Sequence, residues 1–228
     1  MRKLLSIALL LFMVMACSEK DNYSAPNETF QGAIIDRETG DSIPSQSPNG
    51  LRVRLYDQGY QDPQPIDFWG MQDGSFKNTK LFGGDYKVVV DNGGFYSVDT
   101  LAVSLPRNED FNIEVLPILR IKASAKAGED NSIIVDYELS ETKPEEGKIM
   151  RRSTLVSNTP YVDINNFVNS NPFINTESVS DSLITTTTYR DTIRGLKSNN
   201  TYFVRIGART DNVGNRYNYS EVMEIELP

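Results

Sequence analysis

The side chains that this sequence offers for acid–base chemistry are almost all carboxylates. Its 228 residues include no histidine and one cysteine, Cys17, which excludes a histidine-based triad, an imidazole base and a histidine-ligated zinc site. Two carboxylates a few ångströms apart could hydrolyse a glycosidic bond, but acids in turns are usually solvated. The acids here stand mainly in turns and on strand faces: Asp36, Asp73, Asp91, Glu129, Asp130 and Asp211. We therefore predict no catalytic residue, no metal site and no cofactor.

Aromatic side chains are the better candidates for binding, because an exposed ring can pack on the apolar face of a sugar. Trp69 and Phe68 stand together, with Tyr60 and Tyr56 upstream, and these four are the candidate glycan contacts. The alternative is that Trp69 packs in a core or a domain interface. A second candidate patch, Tyr217 and Tyr219, is equally open to both interpretations.

The first residues have the order of a secretory signal: Arg2 and Lys3, then an apolar run too short to span a bilayer. Val14-Met15-Ala16-Cys17 resembles a bacterial lipobox, which predicts a signal peptide over residues 1–16, lipidation of Cys17 and a linker over 17–28. The alternative is ordinary cleavage that leaves a free thiol. The lipid would hold the protein on a membrane.

The net charge argues against nucleic acid as a partner. Cleavage after residue 16 would remove Arg2 and Lys3 from the 23 basic residues, leaving 21 against 31 acids and a net charge of −10. Binding to a phosphate backbone needs clustered Lys and Arg. The one local basic pair, Arg151 and Arg152, is interpreted as a solvated strand edge.

Short runs of Val, Ile, Tyr, Phe and Thr alternate with turn formers from Thr29 onward, which predicts an all-β chain. We expect six strands in each half, with a domain boundary at Leu116-Pro117 because proline interrupts a central ladder. The domains would then cover residues 29–117 and 118–228. A strand is predicted over 183–194, and a short helix over 162–168 within a long Asn- and Ser-rich connection.

The order of motifs in the first half, from Gly32-Ala33-Ile34-Ile35-Asp36 to Gly84-Asp85-Tyr86-Lys87-Val88, resembles the transthyretin-like, carboxypeptidase-regulatory-like β-sandwich. The end of the second half, Thr201 to Arg209, resembles the penultimate strand of a fibronectin type III domain, with Tyr202 placed for a tyrosine corner. Tyr202, Val204, Ile206 and Ala208 would face the core, whereas Arg205 and Arg209 would face water.

Four tripeptides are similar to the O-glycosylation acceptor of exported Bacteroidetes proteins. Their candidate acceptor hydroxyls belong to Ser42, Thr100, Ser182 and Thr192. Such sugars would need surface positions.

Nearly the whole mature chain resembles one family of Bacteroidetes surface lipoproteins of unknown function, domain-of-unknown-function family 3823. The segments that carry this resemblance are Cys17 with Asp21-Asn22-Tyr23, then Thr29-Phe30-Gln31-Gly32, Phe68-Trp69-Gly70-Met71 and Asp73-Gly74-Ser75-Phe76. The resemblance implies a lipid-anchored protein of the outer membrane that faces the cell exterior, beside SusC/SusD-type glycan importers. Three functions follow as hypotheses: a non-catalytic protein that binds glycan or assists an importer, a structural spacer or adhesin-like module that binds proteins, and a glycoside hydrolase, which is the least favoured.

Overall fold

The computed structural model describes residues 24–144 and 146–228, and these residues form two sandwich-like domains made almost entirely of β-strands. The predicted signal peptide, Cys17 and the linker as far as residue 23 lie outside them. Among the described residues, no helix has the length and hydropathy that a bilayer crossing requires. The prediction of an all-β chain with two sandwiches is confirmed.

The first domain pairs a three-stranded sheet with a four-stranded sheet. Its strands are β1 (Glu28–Asp36), β2 (Arg52–Asp57), β3 (Ile66–Trp69), β4 (Ser75–Leu81), β5 (Gly84–Asp91), β6 (Leu101–Leu105) and β7 (Ile113–Val115). The sheet orders are β4-β1-β7 and β3-β2-β5-β6, and β1 pairs with β7 in parallel. Strand β3, which the sequence did not predict, is an edge strand.

Alternation of side chains along each strand builds the first core. In β1, Phe30 and Ile34 point inward, and in β2 Val53 and Leu55 do so, whereas Arg52 stays half-buried on the outer face. Successive side chains of a strand point to opposite faces, so one apolar set per sheet fills the space between the two sheets.

The second domain also has two sheets. Its strands are β8 (Leu119–Ala127), β9 (Ile133–Glu141), β10 (Ile149–Ser157), β11 (Phe173–Asn175), β12 (Tyr189–Ile193), β13 (Asn200–Thr210), β14 (Asn218–Tyr219) and β15 (Met223–Leu227), with one helix, α1 (Asp181–Thr185). One sheet has the order β12-β9-β8. The other has the order β11-β10-β13-β14, with β15 also paired to β13.

The tyrosine corner predicted from the sequence is confirmed. The backbone N–H of Lys197 donates to the phenol oxygen of Tyr202 at 2.9 Å, and the Tyr202 ring lies in the second core with Val204, Ile206 and Ala208. The same core contains the buried Tyr137 from the facing sheet. This bond ties the turn before β13 to the strand itself.

Two local expectations are wrong. Residues 162–168 contain a turn closed by an isolated bridge between Asp163 and Asn166, not a helix. Residues 181–185 form α1 rather than strand, because Ser180 caps the helix by accepting from the N–H of Leu183, and β12 begins only at Tyr189.

Candidate functional site

The two domains meet around Arg205, whose side chain is the largest fully buried one among the described residues. Its guanidinium donates to four backbone carbonyls on separate segments. Nε reaches the carbonyl of Ser220 at 2.9 Å, and Nη1 reaches those of Ser45 at 2.9 Å and Val162 at 3.4 Å. Nη2 reaches the carbonyl of Gln72 at 3.1 Å. Ser45 and Gln72 belong to the first domain, so one side chain of β13 joins both domains.

The expectation that Arg205 faces water is wrong, because other segments cover this part of the strand. The turn at Ser45 and the segment that contains Val162 close over it, and Tyr219 lies 4.3 Å from the guanidinium carbon. Burial lowers the pKa of Arg205 to about 10, against the opposing influence of Tyr219, Asp163 and Glu221. Arg205 is therefore still a cation at neutral pH, with carbonyl oxygens in place of water.

Further polar contacts join the two domains. Arg120 of β8 donates to the buried Asp36 of β1 through Nε at 2.5 Å and Nη2 at 3.0 Å, and Nη2 also reaches Glu38 at 2.6 Å. Asn218 donates to the carbonyl of Gly94 at 2.7 Å. A Cβ on Gly94 would lie 2.8 Å from the Asn218 side chain, so this close approach requires glycine.

A cleft of about 440 Å³ opens beside this junction. The first domain contributes turns at residues 45–50 and 92–93 to its wall, and the second contributes the outer face of β10, β11 and β13 with residues 214–217. The size is that of small-ligand sites, which commonly form between domains. The cleft is larger than a second cleft between the domains, of about 330 Å³, which Asp36 and Arg120 border.

Arginines dominate the charged lining of the cleft. Arg151, Arg209 and Arg216 all border it, and among the described residues no Asp or Glu contributes to its lining. Arg151 of β10 stands directly opposite Arg209 of β13, next to an irregularity in the β10–β13 register. Arg209 donates to the side chain of Asn215 at 2.6 Å, and Arg216 donates to that of Asn92 at 2.6 Å. Neutral amides, not carboxylates, orient these two guanidinium groups.

Aromatic rings form the apolar part of the same cleft. Tyr217 is half-buried and stacks on the buried Tyr219, with ring centroids 5.9 Å apart and an interplanar angle of 28°. The guanidinium of Arg209 lies 5.9 Å from the Tyr217 ring, and that of Arg151 lies 5.3 Å from the ring of Phe173. The second aromatic patch predicted from the sequence therefore borders the cleft, with Tyr217 as its more accessible ring.

Trp69 lies elsewhere, on the outer face of the first domain. It is 40% exposed on edge strand β3, with the guanidinium of Arg52 5.8 Å from its ring. Phe68 points the opposite way, because neighbouring residues in a strand alternate, and its ring packs against Phe30 and Phe76 in the first core. Trp69 is thus accessible, and Phe68 is a packing residue.

The four predicted aromatic contacts do not form one surface. Tyr56 shares the outer face with Trp69, but Trp69 stands opposite Arg52, four residues earlier in β2, so the two rings are separated by about 13 Å along the strand. Tyr60 is 69% exposed in the turn beyond β2. Around Trp69 the face carries ion pairs, such as the 2.8 Å contact between Arg52 and Asp91, rather than further aromatic rings.

Four of the six acids considered for hydrolysis have structural contacts, namely Asp36, Asp73, Asp91 and Asp211. Asp36 binds Arg120 and Asp91 binds Arg52, whereas Asp73 accepts from the N–H of Ser75 at 3.0 Å in a turn. Asp130 adopts a positive φ of 53° in another turn. Asp211 accepts from the N–H of Lys148 at 2.8 Å.

The candidate glycosylation sites differ in accessibility. Thr100, Ser182 and Thr192 are exposed, in the segment before β6, in α1 and in β12. Ser42 is half-buried, and its hydroxyl donates to the backbone carbonyl of Asp73. A sugar on Ser42 would require that hydrogen bond to break.

The sequence did not indicate that the three cleft arginines lie together. They are separated by up to 65 positions, and only strand pairing and domain packing bring them to one surface. The pair at 151–152 was interpreted as a solvated edge, but β10 is an inner strand, and Arg152 lies 4.1 Å from the ring of Tyr189. The sequence feature that could have indicated a site in this region is the long connection after residue 157, because long insertions in sandwiches are often functional.

Comparison with known proteins assigns both domains to family models. A model described as the N-terminal domain of a protein of unknown function, DUF3823, matches residues 28–116, and a domain of unknown function, DUF3823_C, matches residues 119–224. No curated protein matches the sequence significantly.

Solved structures share the fold along the length of both domains. A DUF3823 family protein from Bacteroides uniformis is 24% identical, with a TM-score of 0.78 over 89% of this chain and 100% of its own. A second protein from Bacteroides uniformis, named as a candidate carbohydrate binding protein, is 23% identical with a TM-score of 0.76 over the same shares. A DUF3823 family protein from Parabacteroides merdae is 22% identical, with a TM-score of 0.73 over 89% and 100%.

Proposed function

This chain belongs to the DUF3823 family, and from that premise we propose that it binds glycan in the cleft between its two domains, as a non-catalytic, lipid-anchored protein of the cell surface. The observation that carries the proposal is the composition of the cleft. The half-buried ring of Tyr217 stands beside planar amide and guanidinium groups, in a concave surface of about 440 Å³. Rings pack on the C–H face of a sugar, while amides and guanidinium groups bond its hydroxyls.

Orientation of the polar groups supports this site over the surface at Trp69. Asn92 and Asn215 each hold a guanidinium by a 2.6 Å hydrogen bond, so a ligand meets side chains that are already ordered. Ordering in advance lowers the entropic cost of binding. Trp69 stands on an open strand edge, where a ligand would contact one ring and a set of solvated ion pairs.

One relative of similar fold is named as a candidate carbohydrate binding protein, which agrees with the proposal.

We extend the proposal to the anchor and to partners. Lipidated Cys17 would tether the protein to the outer membrane facing the exterior, where it would deliver glycan to a SusC/SusD-type importer. Incorporation of labelled fatty acid by the intact protein, abolished by Cys17→Ala, tests the anchor. Co-purification of importer proteins with the intact lipoprotein tests the partner.

Affinity electrophoresis against a panel of polysaccharides tests glycan binding, with residues 22–228 as the protein because they contain both cores. Tyr217→Ala is expected to weaken retardation about tenfold, equivalent to ~1.4 kcal/mol, through loss of the ring surface. Phe82→Ala is the matched control: Phe82 is exposed and precedes β5, whereas the cleft residues Asn92 and Gly93 follow that strand, so removal of this ring should leave retardation unchanged.

The Trp69 surface is the competing glycan site and enters the same experiment. If Trp69→Ala abolishes retardation and Tyr217→Ala does not, the binding site is the outer face of the first domain and the cleft assignment is wrong. If no polysaccharide in the panel retards the protein, glycan binding itself is refuted, and a protein-binding spacer becomes the better hypothesis.

A further inference from the structure

We infer that the ligand of the cleft is an acidic glycan, whose carboxylate or sulfate groups bind between Arg151, Arg209 and Arg216. This inference rests on the proposed function and specifies the chemical class of the ligand. The charged side chains that line the cleft are all cations, although the protein as a whole is acidic, with 31 acidic and 23 basic residues.

The pairing of β10 with β13 places two cations side by side. Arg151 and Arg209 are direct cross-strand partners, and both border the cleft. Residues directly opposite in an antiparallel pair have Cβ atoms about 4.5–5.5 Å apart, and like charges at such positions are destabilising. Folding alone does not favour this pair, whereas a bound anion would neutralise both charges at once.

Five of the nine other arginines among the described residues have a carboxylate partner, namely Arg52, Arg54, Arg120, Arg152 and Arg190. Arg52 contacts Asp91 at 2.8 Å, Arg120 contacts Asp36 at 2.5 Å and Arg190 contacts Asp136 at 2.6 Å. Within the part of the chain that the structure describes, no ion pair includes any of the three cleft arginines, and no acid borders the cleft. Three cations therefore share one concave surface without a protein anion.

The guanidinium groups retain donors for a ligand. Arg209 uses Nη1 for the Thr210 carbonyl and for Asn215, and Arg216 uses Nη2 for Asn92, out of five N–H donors on each guanidinium. Arg151 packs against the ring of Phe173. The planar fork of a guanidinium matches two oxygens of a carboxylate or a sulfate, and charged pairs of this kind bind roughly twice as strongly as neutral ones.

A glycan fits the remaining lining better than a free inorganic anion. The neutral contacts, the Tyr217 ring and the amides of Asn49 and Asn165, extend over the rest of the cleft wall. They would bind the ring face and hydroxyls of the sugar that carries the acidic group. Uronic acids present a carboxylate and sulfated sugars present a sulfate ester, and the same arginine arrangement accepts both.

The test compares polymers that differ only in charge. Residues 22–228 are run against polygalacturonate and its carboxyl-reduced form, and against dextran sulfate and dextran, in gels at low and high salt. We expect one acidic polymer to bind at least tenfold more tightly than its neutral counterpart, with binding weakened by salt. Preference within the first pair identifies a uronate ligand, and preference within the second alone identifies a sulfate ester.

Paired variants then locate the charge. Arg151→Gln/Arg209→Gln should weaken binding of the acidic polymer at least tenfold. Lys122→Gln/Lys126→Gln removes two exposed charges from β8, in the other sheet of the domain, and should change binding less than twofold. Arg151→Gln alone should not lower the melting temperature, because it relieves like-charge repulsion, and this controls for folding.

The outcomes separate the two proposals. Equal binding of acidic and neutral polymers, or full binding by Arg151→Gln/Arg209→Gln, overturns the inference, while Tyr217-dependent binding of a neutral glycan leaves the proposed function standing. Equal loss in the lysine double variant indicates attraction by overall charge alone and also overturns it. Absence of binding to every acidic and neutral glycan tested refutes both.

Discussion

Replacing Arg205 by methionine tests whether the junction between the domains depends on one buried cation. Arg205 donates to four carbonyls, and three of these bonds are 3.1 Å or shorter. A hydrogen bond from a charged group contributes about 1.5–3 kcal/mol, so the three shorter bonds together exceed ~4.5 kcal/mol. Methionine also avoids the desolvation of a buried guanidinium, which costs several kcal/mol. We expect a net loss of about 2–4 kcal/mol in the free energy of unfolding.

The assay uses the fluorescence of Trp69, which is the sole tryptophan and lies in the first domain. Urea unfolding of residues 22–228 is followed by tryptophan fluorescence, which reports the first domain, and by circular dichroism, which reports both. In Arg205→Met the two transitions should separate, because the bonds from Arg205 to Ser45 and Gln72 are lost from the contacts that join the domains. In the wild type they should coincide.

Arg190→Met is the matched control. It removes another arginine of the second domain, but one that is exposed and bonded only to Asp136, and exposed ion pairs contribute little to stability. If Arg205→Met unfolds within 1 kcal/mol of the wild type, with coincident transitions, the role assigned to Arg205 is wrong. Arg205→Lys should also lose stability, since an ammonium lacks the planar fork that reaches separate carbonyls.

The remaining predictions concern pH, the tyrosine corner and the exposed tryptophan. Burial would raise the pKa of Asp36, but hydrogen bonds from Arg120 and the local backbone outweigh it and lower that pKa below its ordinary value of 3.8. A depressed carboxyl pKa contributes stability above the unfolded value and loses it as pH falls through the folded value. Asp36→Asn should therefore be less stable than wild type by about 1–2 kcal/mol at pH 7. In urea titrations this difference should shrink below pH ~4. A difference independent of pH would contradict the lowered pKa of Asp36. Tyr202→Phe should lose about 1 kcal/mol in the same assay, because the N–H of Lys197 loses its acceptor, and an unchanged midpoint would mean that water replaces the bond. Trp69→Ala should lose less than ~2 kcal/mol because the ring is 40% exposed, whereas a loss of 3–5 kcal/mol in thermal or urea unfolding would mark it as a core residue.

The period-two pattern of apolar residues determined most of the fold. Strict alternation in β2 predicted which face of that strand is buried, and alternation in β13 correctly placed Val204, Ile206 and Ala208 in the core and Tyr202 in a corner. These features are local, because a strand alternates its side chains whatever surrounds it. The short strands β3, β11 and β14 were missed, since two to four residues are too few to show a period.

The tertiary structure alone decided what covers the outer faces. Alternation placed Arg205 and Arg209 on one face of β13, but only domain packing buries the first and leaves the second at the border of a cleft. The meeting of Arg151 with Arg209 likewise depends on the register between β10 and β13. A sequence period distinguishes two faces of a strand, whereas the environment of each face is set by segments far away in the chain, so the junction and the candidate site emerge only when both domains are folded together.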